Sequence, residues 1–217
     1  MEHPKILWVY TESPLEMLPI MPYLVANNHI AFAEGSSYEA RQVDYLTSYK
    51  WLSEPTIDAV KNARSGAKIS NSVNDLLRLA LLMEHGGVMV DISTTLFLSS
   101  IQEASKHFLG QPNAEVLLLS KQRDKVSNSS SFGLDLVVAK PKSQLFTEMF
   151  AQACRVFETG NWPDHLSGSP KRVDQDTLSV YYSSLLTSLL AANHKFDWDT
   201  QTLPKNSSSH LCLTRHS

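Results

Sequence analysis

The chain has 217 residues, of which 42% are hydrophobic and 19% charged, a composition typical of a globular rather than a disordered protein. This length allows one domain with a sizeable core or two very small ones, and we expect a single domain over residues 1–217. A net charge of −3 gives no general attraction to nucleic acid or to an anionic membrane, so we expect neither as a partner.

The cysteines and the N-terminus indicate a compartment. Two cysteines, Cys154 and Cys212, are too few for a disulfide framework. A reducing compartment is the simpler interpretation, and a secreted protein with few disulfides is the alternative. The start, MEHPKILWVY, lacks the features of a signal peptide, and no run of about 18 apolar residues predicts an integral membrane segment. We therefore expect a soluble, cytoplasmic protein.

The first part of the chain predicts two strands and a helix. Lys5–Tyr10 (KILWVY) is a short apolar run rich in strand formers and predicts a buried strand. His29–Ala33 (HIAFA) predicts a second strand, and the three prolines between the two runs favour a loop or a broken helix. Tyr38–Leu52 is predicted to be helical.

The strongest helix prediction covers Ser72–His85. A serine can cap its start, and Gly86-Gly87 end it. Apolar residues occupy nearly the whole circumference of this helix, so we expect it to be buried. Val88–Val90 then predicts a short strand that ends at Asp91.

The remaining elements complete an alternating pattern. Glu115–Ser120 and Leu134–Ala139 predict strands, whereas Ser143–Glu158 and Leu178–Leu190 carry apolar residues at helical spacing. Alternating strands and helices predict an α/β fold with a mixed, mostly parallel sheet flanked by helices. In such sheets ligands bind at the carboxyl ends of the strands.

Three charged residues in this pattern are candidates for chemistry. Asp75 and Arg78 are three residues apart on one face of a helix that is otherwise apolar. Charged side chains in a buried helix need a partner, so they either form a structural ion pair or bind a ligand. Asp91 follows a buried strand, where it either binds a metal or a hydroxyl or caps the turn after it.

Taken together, these residues resemble the DXD-containing sugar-binding region of glycosyltransferases. The shared pattern is roughly S-D-x-x-R-x-x-x-L-x-x-x-G-G, then hydrophobic-x-hydrophobic-D-x-D. The residues in register with it are Asp75, Arg78, Leu82, Gly86, Gly87 and Asp91, with Asn74 in place of the serine. The groups that share the pattern include yeast-type α-1,6-mannosyltransferases, clostridial glucosylating toxins and capsular polysaccharide synthesis proteins.

The resemblance implies a GT-A fold and a role for each matched residue. Asp75 would hydrogen-bond sugar hydroxyls, Arg78 would hold the sugar or the diphosphate, and Asp91 would contact the ribose or a divalent metal. Mn²⁺ or Mg²⁺, together with an arginine, neutralises the charge that grows on a diphosphate leaving group. The implied activity is sugar transfer from a nucleoside-diphosphate sugar, UDP before GDP, to a glycan or other hydroxyl acceptor. Retention of configuration is expected, and it requires no dedicated general base.

Ser93 departs from the pattern, because it stands where the second aspartate of the DXD string is expected. A serine hydroxyl is a weaker, neutral metal ligand, although the capsular group often has D-A-T here. Two alternatives therefore stay open. One is a non-catalytic module that binds a nucleotide sugar or a glycan, and the other is an unrelated α/β domain in which Asp75 and Arg78 only pair with each other.

Both ends of the chain add candidates. PKILWVY resembles the opening of these enzymes, so Trp8 is a candidate platform for the nucleobase, with a core tryptophan as the alternative. The end, SSSHLCLTRHS, resembles the closing histidine segment of the mannosyltransferase group. It makes His210 and His216 candidate metal ligands and Arg215 a candidate phosphate partner, although terminal side chains of this kind are often only solvated.

Two other D-x-D strings, Asp174–Asp176 and Asp197–Asp199, do not follow Gly-Gly and an apolar strand. We interpret the first as the start of a helix and the second as a short polar connection. The chain contains no G-x-S-x-G, P-loop, G-x-G-x-x-G or H-E-x-x-H string, which argues against the common hydrolase, kinase, dinucleotide and zinc sites.

Overall fold

A computed structural model describes residues 6–11, 14–34, 38–66, 71–91, 114–121, 131–159, 196–202 and 209–215. The strands are β1 (Ile6–Tyr10), β2 (Glu39–Val43), β3 (Gly87–Asp91), β4 (Ala114–Lys121), β5 (Ser131–Ala139), β6 (Phe196–Thr202) and β7 (Ser209–Arg215). The helices are α1 (Ile20–Glu34), α2 (Glu54–Gly66), α3 (Asn71–His85) and α4 (Gln144–Thr159), with 3-10 helices at Leu15–Met17 and Ser48–Trp51.

The seven strands form one mixed sheet in the order β2-β1-β3-β5-β4-β7-β6. β1 is parallel to both β2 and β3, and every other neighbouring pair of the described strands is antiparallel. The expected α/β fold with a mixed sheet flanked by helices is therefore confirmed. The expectation that the sheet is mostly parallel is wrong, because β4 to β7 run as an antiparallel series after the third strand.

The parallel part of the sheet contains a change of direction in the winding of the chain. From β1 the chain passes through α1 to β2, which lies on one side of β1. From β2 it passes through α2 and α3 to β3, which lies on the other side of β1. Parallel neighbours require such long crossovers. A crevice for ligands forms at the carboxyl ends of two strands whose connections diverge in this way. Here those strands are β1 and β3.

Helix α3 lies in the centre of the core. Its buried apolar residues are Val73, Leu76, Leu77, Leu79, Ala80, Leu81 and Leu82. Burying a side chain such as leucine stabilises the fold by about 1.5–3 kcal/mol. This helix packs against α2 and α4, and the strands beneath it contribute Trp8, Met89 and Val137 to the same core. The prediction that the apolar residues of this helix are buried around nearly its whole circumference is confirmed, except for the partly buried Met83, and the described polar residues other than Arg78 are also partly buried.

Two predicted elements are wrong. His29–Ala33 is the last part of α1 and not a strand. This helix carries apolar residues on both sides: Ala26 and Ala33 are buried, while Ile20 and Met21 are 77% and 69% exposed. The sequence therefore has no helical period there.

The predicted helix over Tyr38–Leu52 is also wrong, since the segment contains β2 and a 3-10 helix. β2 lies at the end of the strand order, and its polar sequence EARQV fits an edge strand whose side chains stay partly exposed. The Asp197–Asp199 string lies in β6 and not in a polar connection, because residues 196–202 pair with β7. The predictions for Leu178–Leu190 and Asp174–Asp176 lie outside the described residues.

Within the described segments, every helix is too short or too polar to cross a membrane.

Candidate functional site

The first turns of α3 lie against the carboxyl end of β1. Tyr10, the last residue of β1, donates a hydrogen bond from its hydroxyl to Oδ1 of Asn74 over 3.0 Å. The guanidinium carbon of Arg78 lies 4.5 Å from the centroid of the Tyr10 ring. Two contacts from one side chain therefore fix Asn74 and Arg78 at the carboxyl end of β1, where the strand order predicts a crevice.

Asp75 and Arg78 contact each other as their spacing allows. Nη1 of Arg78 lies 3.4 Å from Oδ1 of Asp75, and the two side chains are 7% and 16% exposed. A pair so shielded from water interacts more strongly than a surface pair, but the desolvation of both charges opposes this gain. The contact is compatible with a structural pair and with a pair that also binds a ligand, because a carboxylate can accept several hydrogen bonds.

Asp91 lies next to Tyr10 in the sheet. It is the last residue of β3, and its Cα is the register partner of Tyr10 in the parallel β1–β3 ladder. Neighbouring strands are about 4.8 Å apart, so the backbone of Asp91 is close to the backbone of Tyr10, the residue whose ring contacts Arg78. The fold thus brings three candidates, Asp75, Arg78 and Asp91, to the carboxyl ends of β1 and β3.

Gly86 and Gly87 join α3 to β3 and have positive φ angles of 63° and 103°. A Cβ atom on Gly86 would lie 2.5 Å from the backbone nitrogen of Pro141, and one on Gly87 would lie 2.7 Å from the carbonyl oxygen of Ile6. Both glycines are needed because other parts of the backbone approach this connection too closely for a side chain. The two glycines let α3 turn directly into β3. This tight connection helps to set which residue of β1 lies beside Asp91.

Trp8 occupies a different part of the sheet. It is fully buried, and its indole nitrogen donates to the carbonyl oxygen of Gly86 over 2.8 Å. The rings of Trp51 and His85 lie 5.9 and 5.7 Å away, and the Arg41 guanidinium lies 5.4 Å from its centroid. The fold does not bring Trp8 to the crevice, and its surroundings are those of the core alternative. Stacking on a nucleobase stays a prediction that would need these neighbours to move.

The C-terminal candidates lie on β7, which is antiparallel to β4. His210 pairs with Leu119 near the start of β7. The start of β7 lies at the same end of the sheet as the carboxyl ends of β1 and β3. Three strand spacings, about 14 Å, separate β7 from β3. Arg215 is five residues after His210 on β7, about 17 Å toward the opposite end of the strands. The register therefore brings His210, but not Arg215, to the side that holds Asp91.

Metal ligands stay a prediction. Among the residues that the structure describes, no three His, Cys, Asp or Glu side chains converge on a possible cation site. Ser93 and His216 lie outside those residues. The expectation of Mn²⁺ or Mg²⁺ therefore rests on the resemblance of the sequence around Asp91 and on nothing in the geometry.

Comparison with protein-family models and with curated proteins finds no match to this chain. The motif residues and their positions in the fold are therefore the observations that bear on function.

The structure adds Tyr10 and Asn74 to the candidate residues. The sequence holds a signal for Tyr10, because it is the polar end of an otherwise apolar strand and therefore lies where α/β folds bind ligands. In the sequence, Asn74 is only a departure from the serine of the pattern. Its contact with Tyr10 joins residues 64 positions apart, and no local pattern predicts such a contact.

Proposed function

We propose that this protein is a GT-A-type glycosyltransferase that moves a sugar from a nucleoside-diphosphate sugar to a hydroxyl acceptor with retention. UDP is the favoured nucleotide, and a glycan is one possible acceptor. One observation supports the proposal above all others. Asn74, Asp75 and Arg78 lie on one turn of α3, and Tyr10, the register partner of Asp91, contacts both Asn74 and Arg78 at the carboxyl end of β1.

The chemistry of these groups suits a nucleotide sugar. Arg78 is a permanent cation that is only 7% exposed, so its charge acts through a medium less polar than water. It can stabilise the negative charge that develops on a departing diphosphate. Asp75 offers carboxylate oxygens, which accept directed hydrogen bonds from sugar hydroxyls. In a retaining reaction the leaving phosphate itself can take the proton of the acceptor.

A divalent metal would add positive charge at the diphosphate. By the resemblance, Asp91 and Ser93 would contact it, with His210 or His216 as further ligands. Arg78 supplies part of the same charge without a metal, so the weaker ligand Ser93 is compatible with transfer.

The test of activity is the release of UDP or GDP from UDP-glucose and GDP-mannose, measured with and without Mn²⁺. We expect saturable release by the parent protein and a loss of about 100-fold or more in Asp91→Asn, the range seen when one group that stabilises developing charge is removed. Asp197→Asn is the matched control. It alters another D-x-D string, on β6, where Asp197 pairs with Thr214 far from the carboxyl ends of β1 and β3. Equal losses in both variants, or no release by the parent, would contradict the proposal.

The second candidate is a non-catalytic module that binds a nucleotide sugar or a glycan. The observation in its favour is Ser93, which replaces a carboxylate at the DXD string. Binding of UDP without release from any donor would identify this function.

The contact between Asp75 and Arg78 also fits a purely structural pair. In that case the parent binds no nucleotide, and Asp75→Ala lowers the free energy of unfolding strongly, by about 3 kcal/mol or more, because a buried charge loses a charged partner.

A further inference from the structure

The hydroxyl of Tyr10 is the starting point for a more specific role. Tyr10 is fully buried at the end of an apolar strand, and a buried hydroxyl needs a hydrogen-bond partner. Oδ1 of Asn74 provides that partner over 3.0 Å. The bond joins β1 to α3 at the position where the candidate site lies.

This hydrogen bond fixes which end of the Asn74 amide faces outward. Because Oδ1 accepts from Tyr10, the Nδ2 group with its two hydrogens lies on the other side of the amide. Asn74 is half-buried, and Nδ2 has no hydrogen-bond partner among the residues that the structure describes. The amide therefore leaves two donors at the carboxyl end of β1, on the side of the amide away from the Tyr10 hydroxyl.

Arg78 lies beside these donors. It is four residues after Asn74, so the two side chains share one face of α3. Its guanidinium lies on the ring of the same Tyr10, 4.5 Å from the centroid, in a cation–π contact. One tyrosine thus orients an amide donor through its hydroxyl and a cationic donor through its ring.

We propose that Asn74 binds the diphosphate of the donor together with Arg78, and that Tyr10 is the positioning residue that aims both groups. This inference rests on the proposed function and specifies its phosphate contacts. Two adjacent N–H donors, one of them charged, suit the oxygens of a phosphate, which accept and cannot donate when ionised. The resembling pattern has a serine at this position, so the amide donor is a specific feature of this chain.

The test is calorimetric titration with UDP and with inorganic pyrophosphate, which carries the diphosphate without a base or a sugar. Asn74→Asp keeps an oxygen that accepts from Tyr10 but replaces the outward donors with a carboxylate oxygen. We expect it to weaken the binding of both ligands about tenfold or more, because the new charge repels phosphate. Asn74→Ser restores one donor and should bind with intermediate affinity.

Tyr10→Phe keeps the ring under Arg78 and removes only the hydroxyl. We expect it to weaken binding about three- to tenfold, which corresponds to one hydrogen bond. The control is Tyr45→Phe, which removes a hydroxyl from the Tyr45–Tyr49 ring pair near the 3-10 helix. Binding is measured well below the unfolding midpoint of each variant, so that a loss of stability does not mimic a loss of affinity.

The outcomes separate the two proposals. If the parent binds UDP and both Asn74→Asp and Tyr10→Phe bind it equally well, the positioning role is overturned and the proposed function stands. Should Tyr10→Phe fail to fold, Asn74→Asp alone decides, because it retains the bond to Tyr10. A parent that binds neither UDP nor pyrophosphate overturns both proposals.

Discussion

Gly86 and Gly87 are the residues through which the buried helix α3 reaches β3. Both have left-handed φ angles, and the backbone atoms of Ile6, Ala139 and Pro141 surround them. The amide of Gly86 also donates to the carbonyl oxygen of Leu82 over 2.9 Å, which completes the last turn of the helix. The glycines of the motif thus have a structural role, and the charged residues of the motif are left as the candidates for chemistry.

Gly86→Ala is expected to lower the free energy of unfolding by about 2–5 kcal/mol. The left-handed conformation costs an alanine about 1–2 kcal/mol, and overpacking against the backbone of Pro141 adds about 1–3 kcal/mol. Urea unfolding followed by circular dichroism measures the difference. A loss below about 0.5 kcal/mol, the range of ordinary surface substitutions, would contradict the close approach that the structure shows.

At the level of single residues, the sequence could predict that Asp75 and Arg78 share a helix face, because their spacing fixes it. It could not predict that the guanidinium of Arg78 lies on Tyr10, since that contact depends on how α3 packs on β1. The same limit applies to Trp8. Its aromatic ring suggested a base platform, whereas its hydrogen bond to the Gly86 carbonyl depends on the tertiary fold.

Between elements, Glu84 near the end of α3 caps the start of α2. Its carboxylate accepts from the amide of Ser53 over 3.0 Å, and the hydroxyls of Ser53 and Thr56 also donate to it. Burial raises the pKa of Glu84, but these hydrogen bonds outweigh it and hold the pKa below its usual value. A carboxylate at the start of a helix stabilises it, because the helix dipole favours negative charge there.

The stability that Glu84 contributes depends on pH in a defined direction. Its pKa is lower in the folded than in the unfolded state, so the contribution is complete above the unfolded pKa, about 4.3, and disappears as the pH falls through the folded pKa. Glu84→Gln should therefore destabilise the protein by about 1 kcal/mol at pH 7, a value reduced by partial solvent exposure. Unfolding of both proteins at pH 7 and near pH 3 measures the difference. A difference that stays constant or grows toward low pH would contradict the capping role.

Elements with a clear period or a buried apolar run were predictable, and those without were not. α3 and α4 and the strands β1, β3, β4 and β5 lie where the sequence places them. α1 was missed because large apolar residues such as Met21 and Leu24 face solvent and erase the helical period. β2 was missed because its polar residues are tolerated only at an edge of the sheet.

On the scale of the whole molecule, the order of the strands determines which candidates meet. β1 lies between β2 and β3, so the crossovers diverge at the crevice that holds Asp75, Arg78 and Asp91. In the antiparallel part of the sheet, His210 lies at the same end of the strands as Asp91, whereas Arg215 lies at the opposite end. The α/β class and the motif could be read from the sequence, but this strand order could not, because it depends on pairings between segments far apart in the chain.

The proposed function requires that the carboxyl ends of β1 and β3 bind a nucleoside-diphosphate sugar. The most direct measurement is the thermal unfolding midpoint in the presence of UDP, GDP, UDP-glucose and GDP-mannose, with and without Mn²⁺. A ligand at 100 times its Kd adds about 2.7 kcal/mol, which for a chain of this size is a rise of several degrees.

We predict such a rise with UDP or UDP-glucose, its loss in Asp91→Ala, and its persistence in Asp197→Ala on the far side of the sheet. A rise that requires Mn²⁺ would show that Ser93 still permits a metal at the diphosphate. No rise with any nucleotide would contradict this prediction and leave Asp75 and Arg78 as an internal ion pair. An equal rise in Asp91→Ala would also contradict it, because the nucleotide would then bind without Asp91.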